Sequence, residues 1–407
     1  MRRSPVVTVL IIAGLAVSGC TVATPQVTAS PTTTAEAATV PDDEFTPVIG
    51  RVVSTPRAVP GTDGRVHIAY ELHLSNVTSQ TATIDAIDVL DESGQSLERL
   101  DGDDVLPWVG VSGAEPPTRT LGPGQGALIW LDVRVDSLDA LPATLTHDIT
   151  FGFEPGAEPI ITDRMTERLA VTDVDPAPPV RIGPPLRGEG WLNGNSCCAV
   201  TPHRAAVNPI NGAYHAPERY AIDYVRLDDA GSFITGPVDD LGSYPYFGAD
   251  ILAVGDGPIV SMRFDLPEQV PGANPTGLTL DEYGGNHIVQ DLGDGVYAFY
   301  AHLQPDNPMG VEVGQQLKRG DVIALLGNSG NTDSPHLHFH LMDSPSPLGS
   351  NGIPFVYESF ELVGTISPAD LDAHIASGGP FPVEAAEAGA REDLYPMWLS
   401  VTDYPAK

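Results

Sequence analysis

Between residues 66 and 74 the chain alternates strictly. Val66, Ile68, Tyr70, Leu72 and Leu74 fall on one side, and His67, Ala69, Glu71 and His73 on the other. A period of two predicts an extended strand with one face in a core. Ala127, Ile129, Leu131, Val133 and Val135 alternate in the same way with Leu128, Trp130, Asp132 and Arg134. Turn-rich pieces separate these runs, among them Asp91-Glu92-Ser93-Gly94 and Leu121-Gly122-Pro123-Gly124. A further strand is expected near 143–153. Strands at this spacing, with no helical period between them, predict an antiparallel β-sandwich over 47–175. His67 and His73 share the polar face with Glu71. A metal site is one reading of that face; a solvated strand face is the preferred one. The expected role of 47–175 is spacing or docking.

Length and composition narrow the picture. At roughly 150 residues per domain, 407 residues imply two domains with extra segments. The 42 glycines and 39 prolines favour turns and short strands over long helices. A balance of 20 basic against 54 acidic residues gives −34, which excludes a general attraction to nucleic acid, whose phosphates need clustered Lys and Arg. Three cysteines are too few for a disulfide scaffold.

The N-terminus reads as an export segment. Arg2 and Arg3 precede an apolar run from Val6 to Val17 that is too short to span a bilayer comfortably. Val17-Ser18-Gly19-Cys20 resembles the bacterial lipobox, in which the cysteine is acylated. The resemblance implies a signal peptide over 1–19, lipidation at Cys20 and an extracytoplasmic lipoprotein anchored at the bacterial cell envelope. Residues 20–46, rich in Thr, Ala and Pro, are then a tether. Asp173-Val174-Asp175-Pro176-Ala177-Pro178-Pro179 opens a linker over 176–190.

Chemistry concentrates in the second half. Residues 219–223 read Arg-Tyr-Ala-Ile-Asp, 299–303 Phe-Tyr-Ala-His-Leu, and 335–340 Pro-His-Leu-His-Phe-His after Gly327-Asn328-Ser329-Gly330. On a strand, His336, His338 and His340 point to one face, with Leu337 and Phe339 to the other. Imidazoles at i and i+2 can serve a metal and proton transfer together.

This stretch resembles the lysostaphin-type zinc endopeptidases that cut peptide cross-links in peptidoglycan. Ile251 to Gly257 looks like the family's strand and turn after the metal aspartate, and Gly285-Asn286-His287-Ile288-Val289 like its central strand. Val311 to Gln315 and Lys318 to Val322 look like the approach to the Gly-Asn-Ser-Gly turn. The fold implied is a mainly antiparallel β peptidase domain over 191–354, with 355–407 a C-terminal extension packing on it. Carried over residue by residue, Asp223 and His338 are Zn2+ ligands, His336 is the general base, and His302 steadies the tetrahedral intermediate. Peptidoglycan peptides are the implied substrate.

The sequence departs from the family at Arg219. The family has a ligand histidine four residues before the aspartate, and a guanidinium offers only donors. Either another residue replaces that ligand, or the domain is degenerate and binds peptidoglycan or a partner hydrolase without cutting. His203, His215 and Glu218 are the upstream candidates. Thr201-Pro202-His203-Arg204 resembles the strand that opens the family's domain along the groove, so the expected site is His203, Asp223 and His338. Pairing of Arg219 with Asp223 would argue for degeneracy instead. His340 stands where relatives carry a carboxylate or amide, as a second-sphere group or an extra ligand. Cys197 and Cys198 admit a vicinal disulfide, two thiols or a thiolate metal site. Insertions at 228–246 and 265–283 are expected to shape access to the groove.

Overall fold

The computed structural model describes residues 43–154, 159–377 and 379–406; the export segment, Cys20 and nearly all of the tether lie outside them. Residues 46–407 form one compact unit of mainly antiparallel strands. Its N-terminal part is a sandwich of two five-stranded sheets. Val66–Asn76 is central in one, paired with Val48–Val52 and Gly126–Val135. Ala82–Leu90 is central in the other, paired with Ser96–Asp101 and Thr144–Phe153. The alternating residues Ile68, Tyr70, Leu72, Leu74, Ile129, Leu131 and Val133 fill the core between the sheets, as the period of two requires.

The second part is built on an eleven-stranded sheet. From one side, its main strands run Gly257–Arg263, Asn286–Gly293, Val296–Leu303, Leu337–Met342, Ile222–Arg226, Gly188–Gly194, Ser400–Tyr404 and Phe360–Thr365. One face carries Ile222, Tyr224, Ala298, Tyr300, Leu337, Phe339 and Leu341 into a core shared with Trp191, Phe355 and Tyr357. The tail from 355 supplies Phe360–Thr365 and Ser400–Tyr404 to this sheet, so it is continuous with the domain rather than laid upon it. Likewise, the expected linker 176–190 is tied down: Val180–Ile182 pairs in parallel with Phe355–Tyr357.

Around His67 and Glu71 the polar face of Val66–Asn76 is not solvated, whereas His73 is half-buried. His67 is 3 % exposed and Glu71 fully buried, because the peptidase part covers this face. Ala69 and Val59 belong to the peptidase-side core, so this one strand contributes to two cores. Glu71 meets both Arg204 and Arg219, two guanidiniums on one buried carboxylate. His67 lies between Asp132, 2.9 Å from Nδ1, and Asp63, 3.1 Å from Nε2. Both ring nitrogens are therefore taken by carboxylates. Cys198 is near this histidine but is joined to Cys197 in a vicinal disulfide, which leaves no thiolate to ligate.

Candidate metal centre and groove

Strand register delivers the first two groups. Asp223 faces His338 across the antiparallel pair Ile222–Arg226 and Leu337–Met342, and His338 also faces Ala301 on its other side. Because Ile222, Tyr224, Leu337 and Phe339 point into the core, Asp223, His338 and His340 must point the other way. His338 Nδ1 lies 3.0 Å from Asp223 Oδ1.

His302 reaches the same face by breaking the alternation. Tyr300 points into the core, and a regular strand would send His302 after it. Asn286 pairs with Leu303 while Ile288 pairs with Tyr300, so this strand carries one extra residue. His302 sits at that bulge with φ +60°, which turns its ring into the groove and returns Leu303 to the core. The Gly-Asn-Ser-Gly turn fixes it there: His302 Nδ1 donates to the Ser329 carbonyl at 2.8 Å. A Cβ at Gly285 would come within 2.1 Å of that carbonyl oxygen, and one at Gly330 within 2.2 Å of Gly285 N. Only glycine permits this backbone contact.

His203 is on a single helical turn, Pro202–Ala205, not on a strand as its resemblance suggested; Pro202 in the first turn and the Thr201 side chain open it. Its Nδ1 donates to the Ala221 carbonyl at 3.2 Å, which turns Nε2 toward Asp223 Oδ2 at 3.1 Å. One donor atom each of His203, Asp223 and His338 lies within 4.8 Å of the others. Arg219 is far from this role. It sits on the short helical turn Pro217–Tyr220, with Nε 2.9 Å from Glu71 Oε2 and Nη2 2.8 Å from Ser54 Oγ. His215 and Glu218, the other candidates, are outside the cluster.

Around the cluster, His336 Nδ1 donates to the Ser334 carbonyl at 2.9 Å, leaving Nε2 3.4 Å from Asp223 Oδ1. The His302 and His336 ring centres are 4.6 Å apart. Asn195 donates to Asp223 Oδ2 at 2.9 Å, a contact nothing in the residue pattern announced. Burial alone would raise Asp223, but the charges of His203 and His336 hold it well below the usual carboxylate range. Burial lowers His203, yet Asp223 more than offsets this and lifts it to about 9. Burial, with the charges of His336 and His338, keeps His302 well below the ordinary histidine value.

These residues fit a tetrahedral N/O-liganded cation such as Zn2+. Three donors converge, and His203 Nε2 faces Asp223 along the direction that a shared cation would occupy. The second sphere agrees. His338 Nε2 is 2.9 Å from His340 Nδ1, so a proton on His338 Nε2 has an acceptor and Nδ1 is free to ligate. His340 Nε2, buried, finds no hydrogen-bond partner among the described residues. His340 therefore touches a ligand rather than the cluster centre.

The groove above the site measures about 800 Å³ and includes His203, Asp223, His302, His336 and His338. Of the two insertions, 265–283 reaches it through Asn274, Leu280, Asp281 and Tyr283. The other does not line it; Tyr244 and Tyr246 instead pack into the core.

Comparison with known proteins matches residues 244–349 to Peptidase family M23. Peptidoglycan DD-endopeptidase ShyA of Vibrio cholerae is 30% identical over 100 residues, 24% of this chain and 23% of that protein. Glycyl-glycine endopeptidase ALE-1 of Staphylococcus capitis is 42% identical over 60 residues, 14% of this chain and 16% of that protein. The chain thus spans less than a quarter of the length of these curated relatives. Among solved structures, the catalytic domain of lysostaphin from Staphylococcus simulans aligns at 23% identity, with 41% of this chain, 88% of that chain and a TM-score of 0.22. The sequence matches thus mark residues 244–349, in the C-terminal half of the chain, as a stretch similar to Peptidase family M23.

Proposed function

We propose that the protein is a membrane-tethered, extracytoplasmic zinc endopeptidase that cleaves peptide cross-links of peptidoglycan. The observation that carries this reading is the convergence of His203, Asp223 and His338 in a groove that also holds His302 and His336. When bound, zinc supplies Lewis-acid polarisation of the scissile carbonyl and lowers the pKa of the attacking water.

The chain's own groups do the rest. His203 and His338 offer one nitrogen each and Asp223 one oxygen, with Asn195 holding the carboxylate in place. His336 has Nδ1 committed to a backbone carbonyl, so its Nε2 lone pair takes the proton of the attacking water and returns it to the leaving amine. His302 is anchored in the same manner, with Nε2 left to face the negative tetrahedral centre. Pairing of Arg219 with Asp223 would have argued for the degenerate reading; Arg219 is bound to Glu71 instead.

Anchoring at Cys20 supplies local concentration at the wall, so a strongly acidic protein needs no affinity of its own for anionic wall polymers. The test is digestion of purified sacculi by the zinc-restored full chain, with released peptides identified by mass spectrometry. New amino and carboxyl ends at cross-links, abolished by chelation and in His336→Ala, are expected. Absence of any cleavage by a protein that retains zinc would sink the enzyme reading. Cys20→Ser should move the protein from the membrane to the soluble fraction, and unchanged partitioning would refute the tether.

A further inference from the structure

We infer that Glu71, a residue of the β-sandwich, is a positioning residue for His203, so that the sandwich completes the metal site of the peptidase part. This rests on the metal reading above. The argument begins with the helix that carries His203. Pro202–Ala205 is one turn of four residues. A helix that short has no stability of its own in water, because nucleation is not repaid by propagation. Its direction must be set by contacts elsewhere.

Two buried ion pairs help set it, and both end on Glu71. Arg204, next to His203 on the turn, is 1 % exposed and pairs with Glu71 Oε1. Its other terminal nitrogen donates to the Leu131 carbonyl at 3.1 Å, again on the sandwich. Arg219, 3 % exposed, pairs with the second oxygen of the same carboxylate. It lies two residues before Ala221, whose carbonyl accepts from His203 Nδ1. One carboxylate therefore fixes the turn that carries the imidazole and the segment whose carbonyl orients it. Arg219 thus fastens the support of His203 to the sandwich.

A buried triad of this kind could serve packing alone, and replacing it with apolar residues of similar volume is often neutral for stability. That gives the test. The full chain is prepared as wild type, as Glu71→Gln, and as the triple variant Glu71→Leu, Arg204→Met, Arg219→Met. Each is checked for wild-type circular dichroism, and its Co2+ and Zn2+ affinities are measured by competition with a chromogenic chelator. Asp223→Asn marks the site. Second-sphere support of a ligand is worth about 10- to 100-fold in metal affinity. The expected result is a loss of that size in the folded variants, with a weakened Co2+ visible spectrum. Wild-type affinity in a folded variant overturns the role of Glu71 and leaves the metal reading standing. Failure of the wild type to bind metal overturns both. If neither variant folds, Arg204→Lys replaces them; it keeps the charge but cannot bridge Glu71 and the Leu131 carbonyl, and the same two outcomes decide.

Discussion

Two strands of this protein carry alternating histidines, and they do opposite things. On Val66–Asn76, His67 has a carboxylate on each ring nitrogen and no free lone pair, in a face pressed against the rest of the molecule. On Leu337–Met342, His338 shares one carboxylate with His203 and lies in a groove. Both patterns satisfy a period of two. What separates them is the ratio of carboxylates to imidazoles and whether space is left at the centre. Two aspartates around one histidine occupy both of its ring nitrogens; one aspartate among three histidines leaves donors for a cation.

The sharpest way to break this comparison is to remove the carboxylate from each cluster. Asp223→Asn should abolish zinc retention after dialysis, a loss of well over the about 100-fold that second-sphere changes cause. Asp132→Asn should leave zinc content unchanged. Equal retention in both variants would erase the distinction.

Next in size is a pH effect at the structural cluster. Burial lowers His67, but its hydrogen bonds to Asp132 and Asp63 outweigh this and raise the group from 6.5 to about 9. The folded protein thus holds a proton that the unfolded chain releases between those values. Its contribution is complete below pH 6.5 and lost as pH rises through 9, on the order of 3 kcal/mol. Urea unfolding of the wild type should show this decline and His67→Gln should flatten it; parallel profiles would refute the assignment.

The smallest effect is expected at His340. His340→Ala removes the acceptor for His338 Nε2, and zinc affinity should fall about tenfold, with catalysis following metal occupancy. An unchanged affinity would mean that the His338 ring is oriented by Asp223 alone.

Much of the site was legible in the chain because it is local or tied to a motif. The alternation at 336–340 told which way His338 points, whereas Asp223 came from the family resemblance and its place opposite His338 from the strand register. The strands at 66–74, 127–135 and 143–153 followed from period and turns. What the chain could not disclose depends on distant partners. Periodicity shows that His67 and Glu71 share a face but not what covers it, and that cover comes from residues more than a hundred positions later. The one-turn helix at His203 has no hydrophobic period to detect. The bulge at His302 is a mismatch between two strands, invisible in either alone.

The strand Ser400–Tyr404 has a consequence for how the molecule is made. It lies beside Gly188–Gly194, which in turn flanks the strand of Asp223, and the contact from Asn193 to Thr402 spans 209 residues. Closing so long a loop costs entropy before any pairing rewards it, and such topology slows folding. The hairpin Asn286–Gly293 with Val296–Leu303 needs only a short turn. The His302 side of the groove is therefore expected to gain protection in pulsed hydrogen exchange before the Asp223 side. The site around Asp223 would then be complete only once Ser400–Tyr404 has joined the sheet.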